Sequence, residues 1–141
     1  MSRLVDAEVL MDFLELDEPP WRVPVRLKYR SCDPLAVELM FRLPGQDPVS
    51  WFLGRDLLLA GLDRACGEGD VLVVPETGEP ESVLIRIQVR GHHALFRSGV
   101  EPLRVFLDRT ALVVPFGGEE QHPCFLLHLD AELRKIATTL Q

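Results

Sequence analysis

The sequence predicts an α+β fold, antiparallel β-sheets carrying about three helices. Three observations lead there. Several stretches alternate apolar and polar residues with period two, between clusters of Pro, Gly, Asp and Ser. Other stretches space their apolar residues three and four apart, the period of a helix with one buried face. The connections are also too short for parallel crossovers, which need a dozen or more residues. At 141 residues the chain is read as a single domain, 1–141, long enough to bury a core.

Taken in order, the first strand is expected over Leu4–Leu16, where Val5, Ala7, Val9, Met11 and Phe13 alternate with Asp6, Glu8 and Asp12. "LDEPP" stops it, because two prolines cannot continue a ladder. The second strand, Trp21–Arg30, points Trp21, Val23, Val25, Leu27 and Tyr29 one way and Arg22, Arg26, Lys28 and Arg30 the other. A third strand, Leu35–Leu43, lies between "SCDP" and "PGQDP", with Leu35, Val37, Leu39 and Phe41 on one face. Val49–Leu53 forms a fourth and leads into a helix over Arg55–Cys66, whose stripe is Leu58, Leu59, Leu62, Ala65 and Cys66.

Val71–Val74 and Val83–Arg90 are further strands around the loop "PETGEPES", and "RGHH" turns into a short strand at Ala94–Arg97. Pro102 opens a second helix with Leu103, Phe106, Leu107 and Thr110 on its buried stripe. Cys124–Leu129 reads as extended, and Asp130 caps a last helix with Leu133, Ile136, Ala137 and Leu140 on one face.

Composition narrows the function. Hydrophobic residues make up 47% and charged residues 26%, the proportions of a globular domain. No run of 18 apolar residues offers a membrane span. Acids interrupt the N-terminus, "MSRLVDAEVLMDF", where a signal peptide needs an unbroken apolar core, so a cytoplasmic location is expected. Net charge is −7, from 22 acids against 15 bases, which disfavours binding to duplex nucleic acid. Cys32, Cys66 and Cys124 are odd in number without C-x-x-C spacing, and are expected reduced and mostly buried.

The candidate chemistries are weak one by one. "CGEGDVLVV" places glycines after a helix, where carbonyls and acids repel a phosphate, so it reads as a turn. Gly54 with Arg55 does precede a helix, but a single glycine beside Asp56 is a poor anion cradle. His122, Cys124 and His128 share a parity without the ligand spacing of a zinc site, and His92–His93 reads as part of a turn. No serine or cysteine sits beside an evident base, and the paired acids lie in polar loops. No enzyme, metal or cofactor is expected. The basic strip Arg22, Arg26, Lys28 and Arg30 reads first as the partner of Asp6, Glu8 and Asp12 across a hairpin. Its other reading, a docking strip for an acidic partner or single-stranded nucleic acid, lacks a stacking aromatic on the same face.

Five stretches together say more. "VPVRLKYRSCDPLAVELMF", "VSWFLGRDLLLAGL", "GEGDVLVVP", "FLDRTALVVPFGGE" and "LDAELRKI" occur in this order across nearly the whole chain. They resemble the SsgA/SsgB-like sporulation and cell-division proteins of actinomycetes. The most specific parts are Arg55-Asp56-Leu57-Leu58 running to Gly61-Leu62, the turn Gly69-Asp70-Val71, and Pro115 with Gly117.

The resemblance implies a non-enzymatic adaptor that controls septum-site selection in sporulation-specific division. It implies partners as well: the tubulin-like FtsZ, reached directly or through an SsgA/SsgB-like paralogue, at division septa. It further implies a Whirly-like fold of two antiparallel sheets with helices, assembled as a trimer. Two surfaces are singled out on that footing. Pro115, Phe116 and Gly117 reverse the chain after the second helix, Gly117 with an expected positive φ, and are candidates for partner binding. Val105 and Leu112, one heptad apart beside the core stripe, are candidates for the oligomer interface. The alternative is a single-stranded nucleic-acid-binding protein of Whirly-like fold, which the charge balance opposes.

Overall fold

The structure is a computed structural model that describes residues 2–14, 18–42, 44–89 and 92–121. Four antiparallel strands open the chain: β1 (Leu4–Leu14), β2 (Trp21–Arg30), β3 (Asp33–Phe41) and β4 (Val49–Gly54). Helix α1 (Arg55–Gly61) follows, then β5 (Cys66–Glu68), β6 (Val71–Glu76), β7 (Ser82–Val89) and β8 (His92–Gly99). Helix α2 (Val100–Val113) and a single 3-10 turn (Glu119–Gln121) complete the described chain. The described residues thus hold two helices; the helix expected after Asp130 lies outside them.

The strands form one eight-stranded sheet, ordered β4-β3-β2-β1-β8-β7-β6-β5, rather than two. Each half is a meander of chain neighbours, as the short connections require. Among the described residues, the halves join where Asp12 pairs with Arg97, Phe13 with Phe96 and Leu14 with Leu95. Phe13 and Phe96 both face the core there, with ring centroids 5.4 Å apart, so closing the seam buries two aromatic rings at once. The sheet curls strongly. Helix α1 touches β3 and β4 at one end of the strand order and β5 and β6 at the other, so it plugs the inside of the curve.

Alternation located the strands well where both faces are ordinary. In β2, Val23, Val25, Leu27 and Tyr29 are buried, while Trp21 at its start stays 39% exposed. In β3, Val37, Leu39 and Phe41 are buried, but Leu35 is exposed, because the β2–β3 register shifts between Lys28 and Arg30 and turns Pro34 inward instead. The stripe of α2 is the expected one: Leu103, Phe106, Leu107 and Thr110. The helix begins at Val100 rather than at Pro102, which sits third, still in the first turn, where no intrahelical N–H bond is lost.

Other features also differ from expectation. Helix α1 stops at Gly61 instead of Cys66, leaving Ala65 exposed and Cys66 half-buried in a strand. Gly61 packs against β6 so closely that a Cβ there would fall 2.5 Å from Val73 Cβ, so the last helical position must be glycine. "CGEGDVLVV" is therefore a hairpin: Gly67 lies inside β5 and Gly69, at φ 59°, makes the turn to β6. It is a turn, but not a helix terminus. Strand β8 is also longer than expected. His92 and His93 belong to it, opposite Val89 and Gln88, rather than to a turn. Finally, Cys66 is a free thiol but Cys32 is disulfide-bonded, since spacing along a chain says little about proximity in a fold.

Candidate partner-binding site

Arg55 is the first residue of α1, and it is completely buried. A cation is unfavourable at a helix N-terminus, so its position is explained by tertiary contacts. The side chain reaches the C-terminal end of α2, where the last carbonyls lack intrahelical donors. Arg55 Nη1 donates to Val114 O at 2.6 Å, and more loosely to Thr110 O and Thr110 Oγ1, both at 3.4 Å. Nη2 donates to Glu119 Oε1 at 2.6 Å and to Pro115 O at 3.4 Å. The guanidinium carbon lies 4.0 Å from the Phe116 ring centroid and 4.7 Å from that of Tyr29. One cation thus neutralises the negative end of α2, pairs with a buried carboxylate and is flanked by two aromatic rings.

The electrostatics follow from burial. Tyr29 is pushed up to about 12 by desolvation, although the Arg55 charge pulls the other way. Its hydroxyl donates to Pro34 O at 3.1 Å. Burial also pushes the Glu119 carboxyl up, but the hydrogen bond and charge of Arg55, with backbone N–H groups of Glu119 and Gly117, outweigh it. The carboxyl is held below the usual glutamate value.

What this network supports is the segment Pro115–Glu119. Gly118 N–H donates to Pro115 O at 2.9 Å, which closes the turn, and Gly117 adopts φ 87°. Pro115 and Gly117 are exposed, while Phe116 is half-buried with its ring over Arg55. Two of the three candidate residues therefore face solvent, and the third anchors the turn from inside. Around a Gly117 Cβ there would be open space, so only the backbone conformation demands glycine.

The remaining candidates lie elsewhere. On the outer face of β2, Arg22 pairs with Asp12 at 3.4 Å, and Arg26 with Asp6 at 2.6 Å and Glu8 at 3.4 Å. Arg30 pairs with Glu38 of β3 at 3.0 Å. Lys28 lies opposite Asp6 and Glu38 in the two ladders. Three of the four cations thus have a carboxylate neighbour, in solvated pairs of small net worth. Val105 and Leu112 are exposed, Leu112 at 84%, on the side of α2 away from its buried stripe. His122, Cys124 and His128 lie outside the described residues, and among the described residues no group of His, Cys, Asp and Glu could hold a metal ion. No helix there is long and apolar enough to cross a membrane.

Sequence reasoning missed Arg55 and Glu119 as a pair. The available signal was the arginine itself, placed against the helix dipole in "FLGRDLL". Gly54 does cap the helix, but Arg55 turns inward and is not offered to an anion.

The model of the Streptomyces sporulation and cell division protein SsgA matches residues 23–119, a span that includes both Arg55 and Glu119. The chain belongs to the SsgA family. Among SsgA-family relatives, the sporulation-specific cell division protein SsgB of Streptomyces coelicolor is 34% identical, over 96% of this chain and 97% of its own. SsgB of Thermobifida fusca is 34% identical over 92% and 91%. The crystal structure of an SsgA-like sporulation-specific cell division protein from Thermobifida fusca superposes with a TM-score of 0.82 at 32% identity, covering 95% of this chain and 96% of that one. A second solved structure, described by mutations in SsgB that correlate to longitudinal cell division during sporulation of Streptomyces coelicolor, gives 0.80 at 34% identity, covering 86% and 97%. SsgA-family proteins are non-enzymatic cell-division proteins, and this chain is of the SsgB-like, sporulation-specific type.

Proposed function

We propose that this chain is an adaptor in septum-site selection, one that positions FtsZ at division septa directly or through an SsgA/SsgB-like paralogue. The observation that carries the reading is the exposed turn at Pro115–Gly117, bonded from within by the buried Arg55, which also pairs with Glu119. A buried ion pair spent on fixing an exposed turn suits a recognition surface, because a rigid surface loses little entropy on binding. Family membership supports the process. The mutations associated with Streptomyces coelicolor SsgB correlate to longitudinal division, which is how losing a positioning factor would show itself. Val105 and Leu112 supply an apolar strip for self-association, as a trimer by the family resemblance.

Co-sedimentation with FtsZ polymers, and with SsgA/SsgB-like paralogues, tests the reading. Wild-type protein is expected in the pellet, and a folded Gly117→Val variant largely in the supernatant. Failure of the wild type to bind FtsZ and every paralogue would refute the adaptor. Steeply salt-dependent binding to single-stranded DNA would then replace it with the nucleic-acid reading.

A further inference from the structure

Among the described residues, the β2–β3 ladder ends at Val25 and Phe41. Trp21–Pro24 continue to pair with β1 on one side. On the other side the space opens into a surface groove of about 270 Å³, bounded by the chain that leaves β3. Trp21, Val23 and Pro24 form one wall and Pro44 the other, with Arg22 and Arg42 among its lining residues. Trp21 has the parity of the core and lies 6.4 Å from Phe13 between ring centroids, yet it is 39% exposed. A large ring is therefore left half-uncovered where the core reaches the surface.

We propose that this groove takes an extended acidic peptide segment of a partner protein, with one apolar side chain against Trp21 and carboxylates on Arg22 and Arg42. Charge complementarity selects this occupant. In a chain of net charge −7, both charged residues that line the groove are cationic. Arg22 is held only at 3.4 Å by Asp12, and its side chain is 67% exposed, so an incoming carboxylate can share it. Arg42 is exposed. Planar guanidinium groups bind carboxylates with defined geometry, and the tryptophan and proline surfaces provide the apolar area that orients the ligand. Two cations are few for a phosphate chain, whose affinity grows with the number of phosphates neutralised.

The groove is independent of the turn that Arg55 supports. Trp21 begins β2 and Tyr29, beside Arg55, lies near its end. At about 3.3 Å per residue these positions are roughly 26 Å apart. An adaptor built this way can hold one partner at each end of the sheet.

The probe is an acetylated, amidated pentapeptide, Asp-Glu-Phe-Glu-Asp, titrated into the full chain and followed through the indole N–H resonances at low and high salt. Two controls replace Phe by Gly, or every acid by Lys. The acidic Phe peptide is expected to shift the Trp21 resonance saturably, and each control to bind more weakly. Arg42→Glu, on the surface and outside the core, should weaken binding about tenfold, equivalent to 1.4 kcal/mol, without changing the circular dichroism. Unchanged affinity in that folded variant would overturn the proposal, as would absence of binding to wild type or equal binding of the Gly peptide. Displacement of the peptide by a short single-stranded oligonucleotide, with a steeper salt dependence, would assign the groove to nucleic acid instead. None of these outcomes depends on FtsZ binding.

Discussion

Arg55→Leu is the substitution whose cost can be worked most directly from the structure. It removes the donor to Val114 O and to Glu119 Oε1, both at 2.6 Å, and strands a carboxylate whose side chain is 8% exposed. Breaking a buried pair from one side costs about 3–5 kcal/mol. Against a total stability of roughly 5–15 kcal/mol, that is a large part of the folding free energy. Glu119→Gln keeps an acceptor for Nη2 and leaves Arg55 on the carbonyls of α2, so a loss of about 1–3 kcal/mol is expected. Replacing both by leucine should recover part of the Arg55→Leu loss, because the buried charge is no longer unpaired. Urea unfolding at neutral pH, read by circular dichroism, measures all three.

Acid provides an internal check on the same variant. Glu119 titrates below its ordinary value in the folded protein, so the stability it contributes is complete above the unfolded value of about 4.3 and is lost as pH falls through the folded one. In Arg55→Leu the burial remains but the counter-charge is gone, so the folded carboxyl should titrate higher than in the wild type. The stability gap between wild type and variant should therefore narrow as pH falls from neutrality into the carboxylate range. An Arg55→Leu protein within about 0.5 kcal/mol of wild type, the usual range for surface substitutions, would refute the assigned role. A gap that stays constant with pH would refute its electrostatic part.

Gly61→Ala places a methyl against Val73 and should cost about 1–3 kcal/mol, with partial recovery when Val73→Ala is added; an unfolding midpoint equal to wild type would show that β6 yields freely. Gly117→Ala meets no neighbour, so only its positive φ is strained, and a loss of about 1–2 kcal/mol with retained secondary structure is expected by thermal and urea unfolding. Leu112→Lys, at a site already 84% exposed, should leave monomer stability within about 0.5 kcal/mol while lowering the oligomer mass seen by light scattering. A wild-type protein of monomer mass at micromolar concentration would remove that surface from consideration.

The parts of this protein legible from its sequence are those set by neighbours a few residues apart. Strand β2 begins and ends where its alternation does, and α2 buries the stripe that its three- and four-residue spacing marks. The glycine at 117 was legible too, because a chain must reverse within a few residues of Pro115. Other features depended on residues far apart in the chain. The two meanders become one sheet because Phe13 meets Phe96, a pairing that no local pattern encodes. Position 61 must be glycine because Val73, twelve residues on, occupies the space where its Cβ would stand. Arg55 is buried because carbonyls 55 to 60 residues away, and a carboxylate 64 residues away, converge on it. Desolvating a guanidinium is tolerable only when such partners are already assembled, and that assembly exists only once the sheet has curled and α2 has packed against it.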